Sequence, residues 1–182
     1  MDSSLVQRMI GAARLDSATY EEVERDKSAT QQALIVVILA AVAAGIGALG
    51  SDDVGQGIIG GVIGSVVGWA VFAAAVYFVG TRLTAGTQTE ADWGQVARTM
   101  GFAYTPQLLA VFGFIPVLGW ILGGVGAVWG LIASIVAIRQ SLDISTGRAV
   151  ATAIVAMIAL FVVVIVVGLI LGGTAVGLSE LF

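Results

Sequence analysis

Four long stretches of this chain carry no aspartate, glutamate, lysine or arginine: residues 33–50, 54–81, 99–138 and 149–179. About 20 helical residues cross the roughly 30 Å hydrocarbon core of a bilayer. The third stretch is therefore long enough for two crossings. Pro116 lies near its middle, after Phe112-Gly113-Phe114-Ile115. Proline cannot continue a hydrogen-bonded helix, and the residue before it avoids the helical region. A tight hairpin is predicted there, which gives spans over residues 33–50, 56–81, 95–113, 117–138 and 149–173. Pro106 falls inside the third span and predicts a kink. The expected fold class is an all-α membrane protein, a five-helix transmembrane bundle (residues 31–182) behind a cytoplasmic segment (residues 1–30).

In that leading segment the period changes. Leu5, Met9, Ala12 and Ala13 recur at helical spacing among Gln7, Arg8 and Arg14, the pattern of a short interfacial helix on the cytoplasmic leaflet. A second helix is expected from Ser17 or Thr19, with Thr19 and Glu22 as a capping box. The acids Asp16, Glu21, Glu22, Glu24 and Asp26 read as its solvated face. These helices either only lead the chain into the membrane or dock a partner.

Composition agrees with a lipid-solvated surface. Charged residues make up 11% and apolar residues 58% of the chain, and mean hydropathy is +1.02. A soluble domain carries about 25% charged residues. The net charge of −4 speaks against nucleic acid as a partner. With no cysteine or histidine, disulfides, His/Cys zinc sites, thiol catalysis and Ser-His triads are excluded. The first apolar stretch follows some thirty mixed polar residues, so it reads as a permanent anchor, not a secretory signal.

Charge also orients the bundle. With five spans, all eight basic residues (Arg8, Arg14, Arg25, Lys27, Arg82, Arg98, Arg139 and Arg148) fall on one side. The opposite loops, Ser51-Asp52-Asp53 and Ile115-Pro116, and the tail Glu180-Leu181-Phe182 carry none. The positive-inside rule puts the N-terminus in the cytoplasm and the C-terminus opposite.

Two motifs lie within the spans. Gly57, Gly60, Gly61, Gly64 and Gly68 form overlapping small-xxx-small pairs on which another helix backbone can lie close. Gly119, Gly123, Gly124, Gly126 and Gly130 repeat the pattern in the fourth span. Both readings stay open: packing within the monomer, or self-association. Tyr104, Thr105, Pro106 and Gln107 form the densest polar cluster, which either satisfies the backbone freed by Pro106 or lines a path. No ionisable residue sits in the span cores, where ion transporters place theirs. No cofactor, metal or catalytic group is expected; the acids Glu90 and Asp92 form no ordered cluster.

The chain resembles the prokaryotic members of the Yip1 domain family. The likeness rests on Ala12-Ala13-Arg14-Leu15-Asp16 through Thr19-Tyr20-Glu21-Glu22-Val23-Glu24, on Ala29-Thr30-Gln31-Gln32-Ala33, on Met100-Gly101-Phe102-Ala103-Tyr104-Thr105-Pro106, and on Ile138-Arg139-Gln140. It implies five transmembrane helices and a cytoplasmic N-terminus. Eukaryotic relatives are associated with vesicle traffic, Rab-type GTPases and membrane curvature, but the acidic-leucine-glycine-proline motif of their N-terminal regions is absent here. The resulting expectation is a non-enzymatic scaffold in a prokaryotic plasma membrane. Its partners would be the lipid bilayer and either itself or another membrane protein. The alternative is a small permease or lipid transporter.

Overall fold

The computed structural model describes residues 4–48, 54–86 and 89–179. The expected loop Ser51-Asp52-Asp53 and the tail from Glu180 lie outside the described residues. Every regular element among the described residues is helical.

Helix α1 (Leu5–Ala13) opens on a reciprocal cap. The Ser4 hydroxyl accepts from the Gln7 N–H at 3.3 Å, and the Gln7 side chain accepts from the Ser4 N–H at 3.0 Å. The helix ends where Leu15 takes a left-handed φ of 60° and the Asp16 N–H closes back onto the Gly11 carbonyl at 3.0 Å. Helix α2 (Ser17–Arg25) follows at once. Its cap is Asp16, which accepts from the Ala18 N–H at 3.1 Å and the Thr19 hydroxyl at 2.8 Å. The expected caps at Ser17 or Thr19 are displaced because a carboxylate one residue ahead reaches the same free N–H groups.

Among the described residues, four helices are long and apolar enough to cross a membrane: Ala29–Gly47, Ile58–Arg82, Leu118–Ser141 and Thr146–Val166. They belong to α3 (Ala29–Gly47), α4 (Val54–Arg82), α6 (Leu118–Ser141) and α7 (Thr146–Ser179). Each lies where a span was expected, with ends shifted by up to six residues.

The third expected span differs. Helix α5 (Trp93–Phe102) stops short of Pro106, and a 3₁₀ helix takes over from Thr105 to Phe114. Pro106 sits in its first turn, where a missing N–H costs nothing. The Thr105 hydroxyl donates to the Phe102 carbonyl at 2.7 Å, satisfying one acceptor left at the break. Pro106 thus ends one helix and starts another instead of kinking one. The hairpin at Pro116 is as expected. Val117 turns the chain with φ 65° and α6 begins at Leu118.

The α5 and 3₁₀ pair runs beside α3 along its length. An added Cβ on Gly101 would meet Ala33 near the start of α3; one on Gly47 would meet Ala110 at its far end. α6 returns along the same 3₁₀ helix, with Gly119 against Phe112 and Gly126 against Pro106. The core is built of small residues, among them Ala33, Ala73, Ala97, Ala133 and Ala137, all fully buried. Without a hydrophobic driving force between helices in lipid, close backbone approach supplies the packing energy.

Candidate functional site

Helices α1 and α2 lie packed on the bundle end that carries the arginines. Arg8 falls on the same face of α1 as Leu5 and Ala12, and is 1% exposed. Its guanidinium donates to Glu22 at 2.9 Å, to Asp26 at 2.6 Å and to Gln32 on α3 at 2.9 Å. One side chain so ties α1, α2 and α3 together. The acids expected on a solvated face are partly consumed here, because a buried charge must be paired to be tolerated.

A second buried arginine holds the other end of α2. Arg98 of α5 is 5% exposed and donates through Nε to the Val23 carbonyl at 3.2 Å and through Nη2 to the Glu24 carbonyl. These are orphan acceptors of the last turn of α2, and the positive charge also complements the helix dipole. Gln140 of α6 donates to the Ser17 carbonyl at 3.4 Å and to Glu21 at 3.3 Å. Trp129, deeper on α6, donates from Nε1 to the Ala13 carbonyl at 2.8 Å.

The Glu24 side chain is the weak point of this junction. It is 9% exposed and accepts from Gln95 Nε2 at 3.1 Å. Burial, reinforced by the nearby Asp143 carboxylate, pushes its carboxyl up to about 7; Arg25 and Arg98 pull it down and Glu21 adds to the rise. The folded protein therefore holds a proton that the unfolded chain gives up nearer the ordinary carboxylate value. Its contribution to the attachment of α2 is fully present below about pH 4.5, is lost as pH rises through about 7, and changes little above that. Asp26 acts at the other end of the scale. Hydrogen bonds from Ser28 and then Arg8 hold it at about 2, so its contribution is lost only as pH falls below about 4. Amide hydrogen exchange of α2 in nanodiscs, corrected for intrinsic rates, should show less protection at pH 8 than at pH 5.5. Glu24→Gln should remove that difference; a Glu24→Gln protein with the same pH dependence would refute the assignment.

The glycines singled out on α4 behave differently from those of the core. A Cβ added at Gly60, Gly61, Gly64 or Gly68 would meet no described atom of this chain within 4 Å. The packing of Gly57 lies outside the described residues. Ile59, Ile63, Val67 and Val71 on the same helix are exposed. On α6 the pattern divides: Gly119, Gly126 and Gly130 face the 3₁₀ helix, whereas Gly123 and Gly124 stand open.

The polar cluster at Pro106 also divides. Thr105 and Pro106 are buried at the helix break, and Tyr104 packs against the core. Gln107 instead faces a groove of about 350 Å³ between the 3₁₀ helix and α6, together with Gly126, Gly130 and Ser134. The Ser134 hydroxyl is satisfied by the Gly130 carbonyl at 2.8 Å. The buried junction of Arg8, Glu24 and Arg98 was not expected from sequence. Its one legible sign is an arginine placed on the apolar face of α1.

The Yip1 domain model matches residues 15–168, from the α1–α2 link to the middle of α7. No curated protein and no solved structure matches.

Proposed function

The chain belongs to the Yip1 domain family, and on that premise we propose that it is a non-enzymatic membrane scaffold, acting through helix contacts within the bilayer and through lipid. The observation that carries this reading is the open face of α4. Gly60, Gly61, Gly64 and Gly68 leave its backbone uncovered by the described parts of its own chain, between exposed isoleucine and valine side chains. Glycine at such spacing is otherwise a loss, since it costs about 1 kcal/mol in helix propensity relative to alanine.

The reading includes a topology. The α5 and 3₁₀ pair is the fifth crossing: ten α-helical residues span about 15 Å and ten 3₁₀ residues about 20 Å, which together exceed the roughly 30 Å core. The arginine-bearing end faces the cytoplasm of a prokaryotic cell, the C-terminus emerges opposite, and the occupant of the α4 face is a second copy or another membrane protein.

The test is the double substitution Gly60→Leu and Gly64→Leu in native membranes. Both positions have free space, so the monomer should fold with unchanged stability. Self-association or retention of a co-purifying membrane protein should fall about tenfold or more. Unchanged assembly and unchanged partner retention would overturn the contact reading.

A further inference from the structure

We propose that α1 is sunk into the acyl region of the leaflet bordering the arginine-bearing end, with Val6 and Ile10 in direct contact with lipid chains. The inference rests on the membrane orientation of the bundle stated above and names the lipid partner of its N-terminal helix.

Depth is set by the hydrogen bond from Trp129 to the Ala13 carbonyl. On α6, Trp129 precedes Arg139, the basic residue of the last turn, by ten residues, about 15 Å along the axis. That is half of a roughly 30 Å hydrocarbon core. The C-terminal end of α1 is therefore bonded to a side chain rooted well below the arginine boundary. A helix resting on the headgroups would not reach it.

The exposed side of α1 fits such a place. Val6 and Ile10 are 61% and 48% exposed, and they share a face of α1 with Ala13 at spacings of four and three residues. Their surface has the same chemistry as the exposed lipid-facing side of α6 around Trp129, where Val125, Val128 and Ile132 line a shallow apolar hollow. Exposed valine and isoleucine on a short helix gain nothing in water but gain transfer free energy among acyl chains. Of the two arginines of α1 and its cap, Arg8 points to the other side and is neutralised by Glu22 and Asp26; Arg14, the exposed C-cap beside Ala13, has an aliphatic stem long enough to carry its charge toward the headgroups.

The native chain has no cysteine, so single-cysteine labelling reports one position at a time. Full-length Val6→Cys, Ile10→Cys and, as an aqueous reference, Lys27→Cys would be labelled with an environment-sensitive fluorophore. Each would be placed in vesicles of phosphatidylcholine and phosphatidylglycerol. Lipids brominated on the acyl chains should quench the labels at positions 6 and 10 at least threefold more than the label at 27, and aqueous iodide should show the reverse order. Adding Trp129→Phe, which deletes the donor to Ala13, should shift the label at position 10 toward iodide. Equal iodide quenching at all three positions would overturn the proposal. So would shielding of positions 6 and 10 from both quenchers, which would mean that protein covers them. Neither readout depends on the α4 face, so this test and the assembly test can fail separately.

Discussion

Replacing Arg98 with leucine should release α1 and α2 from the bundle while the membrane-spanning helices stay folded. Arg98 is the donor to two carbonyls in the last turn of α2, and neither has an intrahelical partner. Its removal leaves both acceptors and the Glu24 carboxyl in a site built around a cation. Each buried group left unsatisfied costs about 1–3 kcal/mol, and the loss of charge at a helix C-terminus adds up to about 2 kcal/mol. The expected cost to docking is about 3–6 kcal/mol, enough to make the detached state the major one if docking is of ordinary strength. Hydrogen exchange should show protection lost across Leu5–Arg25 and kept in α3 and α6. Arg98→Lys should recover only part of it, because an ammonium lacks the fork that spans two adjacent carbonyls. Full protection in Arg98→Leu would mean that Arg8 and Gln140 hold the arm without it.

The second large effect is expected at Gly47. A Cβ there would collide with the Ala110 carbonyl oxygen, which belongs to backbone and cannot swing away. Gly113 approaches from the other side: its own Cβ would lie 2.8 Å from the Gly47 carbonyl oxygen. Gly47→Val must push the 3₁₀ helix off α3. Overpacking of this kind costs typically 1–3 kcal/mol, and the rigid neighbour places this case at about 3 kcal/mol or more. Thermal unfolding in nanodiscs should show a clear drop for Gly47→Val and none for Gly61→Ala on the open α4 face. Equal midpoints for the two variants would contradict the packing described for the 3₁₀ helix.

These sites show what periodicity reveals and what it does not. The charge-free stretches located the long helices because lipid imposes a single demand, apolarity over a fixed length, that is written in every residue. The pattern at Leu5, Met9 and Ala12 likewise gave α1 directly. The inner order of the third expected span was not legible, since Pro106 is compatible both with a kinked α-helix and with a new helix that begins at it. Neighbouring residues do not distinguish these; packing of Gly47 and Gly126 against the 3₁₀ backbone does. Glycine spacing was similarly ambiguous. The α4 strip and the α6 strip read alike, yet Gly60, Gly61, Gly64 and Gly68 of the first stand open and three of the five glycines of the other are buried against a helix whose position no local rule supplies. Nor could the partners of Arg8 and Arg98 be read, because they are set by which helix ends meet at the surface of the bundle.

The 3₁₀ helix carries a mechanical consequence. At about 2.0 Å per residue it is drawn out relative to an α-helix at about 1.5 Å, and its hydrogen bonds are poorer. Over the ten residues from Thr105 to Phe114 the difference is about 5 Å. That is comparable to the variation in hydrocarbon thickness between one biological membrane and another. A straight α-helical crossing meets a thinner or thicker bilayer by tilting as a whole. On the topology proposed above, the α5 and 3₁₀ pair would hold an extensible length in the half away from the arginines, so it would adapt to bilayer thickness by winding, leaving α5 and the arginine junction it carries in place.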